Sequence, residues 1–145
     1  MKTMKFWNYI FVMCFIVLSL VSCSDEKDGD WDPMDWNTEV PVVTNEGNYV
    51  VSADGGTLTF ICRNYSKPWF SYANENGKNI FPPYMDIDYA LIYSENFRAE
   101  IHGNKLTVDF KANETSQIRN TAITVTAGDI FYTFRFKQSA NSKAD

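Results

Sequence analysis

Three alternating segments between residues 105 and 140, KLTVDFKANETSQIRNTAITVTAGDIFYTFRFKQSA, constrain this chain more than any other stretch. Leu106, Val108 and Phe110 alternate with Thr107, Asp109 and Lys111. Ile123 and Val125 alternate with Thr124 and Thr126, and Tyr132, Phe134 and Phe136 with Thr133, Arg135 and Lys137. Alternation with a period of two residues is what a strand shows when one face is buried and the other is wet.

Two hairpins follow by arithmetic. Gly103-Asn104 suits a two-residue type II′ turn. With His102 facing Lys105, Ile101 faces Leu106, Ala99 faces Val108 and Phe97 faces Phe110, while Arg98 falls opposite Asp109 on the other face. Around Gly128-Asp129, Val125 meets Tyr132, Ile123 meets Phe134 and Thr124 meets Thr133. A slip of one residue would move every apolar side chain to the wet face, so turn and pattern fix the register together. Upstream, residues 38–43 and 49–53 read as short extended pieces, and 57–63 as a strand with Leu58, Phe60 and Cys62 inward. Residues 69–73 form another strand, and 74–77 a turn. The fold class is an all-β, mostly antiparallel domain.

The start of the chain reads as an address. Lys2 and Lys5 precede an apolar run over residues 6–20, followed by Leu20-Val21-Ser22-Cys23. A basic start, a short apolar stretch and small residues before a cut describe a secretory signal, and the run is shorter than the roughly 20 residues a spanning helix needs. Leu-Val-Ser-Cys resembles a bacterial lipobox, which implies that residues 1–22 are removed and Cys23 is lipidated. The acidic stretch Ser24-Asp25-Glu26-Lys27-Asp28-Gly29-Asp30 resembles the signal that exports Bacteroidetes-type lipoproteins to the outer leaflet of the outer membrane. Read for its charge alone, it is a solvated tether. Residues 23–43 are thus a tether and docking segment, in which Trp31 and Trp36 are expected to rest on the domain or on a partner, since exposed aromatics cost solubility.

Removing 22 of 145 residues leaves 123, enough for one domain. Two lysines leave with the signal, so 11 basic residues face 18 acidic ones and the net charge is −7. An acidic chain without a Lys/Arg cluster excludes nucleic acid as a natural partner. Cys14 lies in the removed segment and Cys23 carries lipid, so Cys62 is left without a disulfide partner and the core must supply the stability.

Gly55-Gly56-Thr57, the loop from Asn64 to Trp69, Asn113 with Thr115 and Arg119, the Ile-x-Val strand and the closing Phe-x-x-Gln-Ser-Ala resemble, in that order, the BACON domain. This module is associated with Bacteroidetes and often stands near the N-termini of glycan-degrading enzymes. The resemblance covers residues 44–140, followed by a tail at 141–145. It implies an immunoglobulin-like β-sandwich of about seven strands with Trp69 inward, and a carbohydrate-related role. The sequence stops soon after this region, so a spacer for a catalytic domain on the same chain is not expected. Residues 78–96 are longer and more aromatic than the family's usual stretch.

Catalysis has little to draw on. Asp86 and Asp88 would share one face of a strand, as paired carboxylates must, but Met85, Ile87, Tyr89, Leu91 and Tyr93 alternate with them, so the aspartates read as its wet side. A calcium site on Asp86 and Asp88 would need several converging oxygens, of which the sequence shows only these two carboxylates. No base, nucleophile or metal cluster calls for a cofactor. The reading is a non-catalytic, lipid-anchored module at the cell surface that binds glycan or glycoprotein. Tyr84, beside Pro82-Pro83 in a loop, forms its surface with Phe81 and Trp36, and Asp86 and Asp88 add polar contacts. The alternative is an assembly component that meets another surface protein through the same aromatic stretch or an open sheet edge.

Overall fold

A computed structural model describes residues 31–39 and 41–143. The expected signal segment, Cys23 and the acidic stretch lie outside the described residues. Eleven strands follow one another along the chain: β1 (Trp36–Thr38), β2 (Thr44–Asn45), β3 (Asn48–Val51), β4 (Gly56–Cys62), β5 (Trp69–Glu75), β6 (Lys78–Ile80), β7 (Leu91–Tyr93), β8 (Phe97–His102), β9 (Lys105–Phe110), β10 (Arg119–Thr126) and β11 (Phe131–Gln138). Seven have four residues or more, and these match the expected count. The other four are short strands at the margins, too brief to leave an alternation in the sequence.

The strands form two sheets packed face to face, a β-sandwich. Sheet A has the order β1-β4-β9-β8-β7 and sheet B the order β2-β3-β11-β10-β5-β6. All pairs are antiparallel except β3 with β11, which is parallel. Both hairpins have the register expected of them, with Phe97 opposite Phe110 and Ile101 opposite Leu106 in one, and Thr124 opposite Thr133 in the other. Gly103 is left-handed (φ 62°) and Asn104 is not, as a type II′ turn requires. Arg98 stands opposite Asp109 without bonding to it. Its guanidinium turns along its own strand to Glu100, and Asp109 accepts from the Thr57 hydroxyl at 2.8 Å.

Inward residues of both sheets close one core. Phe60, Phe97, Leu106, Val108 and Phe110 come from sheet A, and Phe70, Ile123, Val125, Phe134 and Phe136 from sheet B. Rings meet across the gap at 4.7 Å for Phe60 and Phe134 and 5.0 Å for Phe110 and Phe136, within the favoured range for offset or tilted aromatic pairs. Cys62 is buried with a free thiol.

Three readings are corrected by the backbone. Residues 38–43 do not form one extended piece. The compact unit begins at Trp31, and β1 pairs with β4 so that Met34 and Trp36 join the core from the N-terminal side. Trp69 is half-buried and Phe70 is the residue that points inward. A bulge places Ser71 opposite nothing, between Phe70↔Val125 and Tyr72↔Thr124, and so reverses the alternation expected from Ala73 backward. Residues 85–90 are not a strand either, and β7 is confined to Leu91–Tyr93. Pro82 and Pro83 carry no N–H for a ladder, Asp86 takes the Leu91 N–H on its carboxylate at 2.7 Å, and Tyr89 is left-handed (φ 49°).

The sandwich has two distinct ends. At the entry end, Asp32, Pro33 and Asp35 are held by Tyr65, Asn64 and Arg63, and Asn104 bonds the Cys62 carbonyl. The loop of residues 81–90 closes on the same end, where the Phe70 N–H donates to the Tyr89 carbonyl and Lys67 pairs with Asp88. The turn of residues 127–130 lies there too, beyond Thr126 and Phe131. At the far end stand the turns at Gly55, Asn76-Gly77 and Ser94–Asn96 and the loop of residues 111–118.

Candidate functional site

The outer face of sheet B carries an open surface built from four strands. Alternation turns Tyr72 and Asn74 of β5, Ala122 and Thr124 of β10, and Thr133 and Arg135 of β11 away from the core. The register then sets them in rows. Asn79, Asn74, Ala122 and Arg135 are successive neighbours across four strands, and Tyr72, Thr124 and Thr133 form the next row toward the entry end. Phe81, just beyond β6, completes a shallow open groove of about 520 Å³ with these residues. Tyr72 is 39% and Phe81 66% exposed, so two rings face solvent over a polar floor.

The floor is pre-ordered. The Asn74 amide donates to Asn79 at 2.8 Å and accepts from the Gly77 N–H at 2.9 Å, which fixes which of its ends faces which way. The Thr124 and Thr133 hydroxyls share a hydrogen bond of 2.9 Å. Arg135 is exposed and makes no ion pair among the described residues, so its planar donors are available. Through Asn74, Ala122 and Arg135 the groove continues into a second of about 290 Å³, where Asn48, Asn76 and Asn120 extend the amide lining toward the far end.

Of the residues expected from the sequence, the structure brings Phe81 to this groove and scatters the rest. Tyr84 is 99% exposed in the loop of residues 81–90. Asp86 spends its carboxylate on the Leu91 N–H and its own N–H on the Pro83 carbonyl, and Asp88 pairs with Lys67 at 3.8 Å. Trp36 sits on the opposite edge of sheet A, edge-on to Phe134 at 5.0 Å, with its indole N–H buried and without a partner among the described residues; packing holds it, and it shares no surface with Phe81 and Tyr84. Tyr89 and Tyr93, expected in the core, are about half exposed. Among the described residues no three His, Cys, Asp or Glu side chains converge as a metal cage would need.

The groove residues missed by sequence reasoning divide by cause. Thr124, Thr133 and Arg135 follow from a register that was legible, and only the step from wet face to binding face was lacking. Tyr72, outward with or without the bulge at Ser71, lacked the same step, and Asn79 was hidden by the brevity of β6.

No family model and no curated protein matches the chain. A solved structure does: the NMR structure of a protein from Bacteroides thetaiotaomicron is 34% identical, the match covering 84% of this chain and 98% of that one with a TM-score of 0.67.

Proposed function

The chain belongs to the same family as this Bacteroides thetaiotaomicron protein, and from that premise we propose that it is a non-catalytic module, anchored by lipid at Cys23, that binds glycan on the outer face of sheet B at the cell surface. The observation that carries the reading is the pair of exposed rings, Tyr72 and Phe81, over a floor of ordered amides, hydroxyls and the exposed Arg135 guanidinium. A pyranose presents C–H groups on its faces and hydroxyls around its rim. Aromatic faces take the first, and fixed amide and guanidinium groups take the second. The groove is open at the sides, which suits a chain of sugars over a small enclosed ligand.

The strand order supports the resemblance to the BACON domain. We read β1-β4-β9-β8 in one sheet as strands A, B, E and D, and β11-β10-β5 in the other as strands G, F and C, of an immunoglobulin-like sandwich. Assembly through an open sheet edge has less to work with, because the four margins are strands of two or three residues.

The test is retention of the chain on a panel of immobilised oligosaccharides and polysaccharides, with affinities by calorimetry. Tyr72→Ala and Phe81→Ala should each weaken binding at least about tenfold, or about 1.4 kcal/mol, with an unchanged melting temperature. Tyr84→Ala, outside the groove, should bind as the parent does. Absence of binding across the panel, or losses at Tyr84 alone, would remove the groove from consideration.

A further inference from the structure

The surface of the sandwich is polarised from end to end. Six of the large apolar side chains exposed among the described residues, Trp31, Tyr84, Met85, Ile87, Tyr89 and Phe131, belong to the loops and strand ends of the entry end. Met85 and Ile87 are 87% and 86% exposed and stand clear of the domain. The far end presents glycines, asparagines and the stretch Glu114-Thr115-Ser116-Gln117, with Val43, Tyr93 and Ile118 as its large exposed apolar residues among those described.

We infer that the entry end is seated on a phospholipid surface, with Trp31, Tyr84, Met85, Ile87 and Phe131 inserted at the level of the headgroups. The inference rests on the reading that Cys23 is acylated. Trp31, where the compact unit begins, lies only eight residues beyond Cys23, a reach of at most about 28 Å when fully extended. A chain leaving the bilayer at Cys23 therefore delivers its entry end first. The side chains found there suit that place: Trp and Tyr favour the membrane–water interface, where the ring is apolar and one edge remains wet, and Lys67 can extend its charged head past an apolar boundary. They project from three separate segments, the N-terminal entry, the loop of residues 81–90 and the start of β11, with Asp32, Asp88 and Asp129 between them. Separate points of insertion between headgroups fit this pattern better than the continuous apolar centre of a protein interface. In this pose the amide-lined groove on sheet B runs from the membrane outward, and its far half opens to the surroundings of the cell.

The test uses the full acylated chain reconstituted into phosphatidylethanolamine–phosphatidylglycerol vesicles, with an environment-sensitive fluorophore on Ile87→Cys or, as the control at the far end, on Ser116→Cys. Both positions are exposed, so neither substitution threatens the fold. A blue shift at position 87 that nitroxide-labelled lipids quench, with no shift and no quenching at position 116, is the expected result. A chain that floats with the vesicles but shows an unshifted probe at 87 overturns the membrane-facing end and leaves the anchor intact. A chain that does not float overturns the anchor and the inference with it. A shift at 87 that rises with protein density and resists the lipid quencher assigns the end to a second copy or another protein, and overturns the inference as well.

Discussion

At the scale of single residues, the buried polar groups explain more of this fold than its surface ion pairs do. Asn113 is 1% exposed, and each hydrogen-bonding group of its amide is used: it donates to the Gln117 and Ser139 carbonyls at 2.7 and 2.9 Å and accepts from the Thr115 N–H and hydroxyl. It is the clamp that shapes the loop of residues 111–118 and ties it to the end of β11. Asn113→Ala should cost about 2 kcal/mol in denaturant melts, because partners shaped around the amide lose it together. A loss under about 0.5 kcal/mol would mean that the loop holds its shape unaided. Tyr49 offers a second reading at this scale. Burial, with a smaller contribution from the nearby Tyr132 phenol, pushes its hydroxyl up to about 12. Below about pH 10 the phenol is neutral in both folded and unfolded chains, so its contribution to stability is fully present there and is lost as pH rises toward 12. Tyr49→Phe should therefore remove the last phenolate to form in an alkaline titration and flatten the fall of stability over that window. Loss instead of one of the phenolates that form near the ordinary value of about 10 would show that Tyr49 is an ordinary surface phenol.

At the scale of elements, the β8–β9 hairpin separates what burial contributes from what charge contributes. Phe97 and Phe110 face each other inside the core with ring centroids 6.2 Å apart, so Phe110→Ala should cost about 3–5 kcal/mol. Arg98→Ala removes a solvent-exposed pair with Glu100 and should cost no more than about 1 kcal/mol. Reversed magnitudes in chemical denaturation would mean that the hairpin is shifted by one residue. That register was legible from the sequence because two constraints coincided there, a turn that admits one loop length and an apolar set that tolerates one phase. Where only one constraint was present, reading failed. The phase of β5 rested on alternation alone, and a single unpaired residue, Ser71, exchanged Trp69 for Phe70 in the core. The alternation of residues 85–93 was genuine as a pattern, yet Pro82-Pro83 and the Asp86 cap on Leu91 leave no partner strand for Met85 and Ile87. The same distinction governs the groove. Its aromatic rim at Phe81 could be read from an exposed-loop context, whereas its floor depends on rows across four strands, which only the folded register assembles.

At the scale of the whole molecule, one geometry links the anchor, the apolar end and the groove. In the membrane-seated pose proposed above, the far end and its loop of residues 111–118 would face away from the bilayer. Two consequences can be measured in cells. Cys23→Ser should leave the chain without lipid and with residues 1–22 still attached, seen directly by intact mass, because lipoprotein processing needs the thiol it modifies. A lipid-modified mass in that variant would show that the anchor is attached elsewhere. In cells carrying the parent chain, trypsin added outside should cut first at Lys111 or Arg119, which flank the loop of residues 112–118, and only slowly at Arg63 of the entry end, although the Arg63 side chain is 62% exposed in the isolated fold. Cleavage at Arg63 as fast as at Lys111 would place the apolar end away from the bilayer. Protection of all three sites until the cells are lysed would place the whole domain on the inner side of the outer membrane, where the groove could meet only glycan that has already crossed.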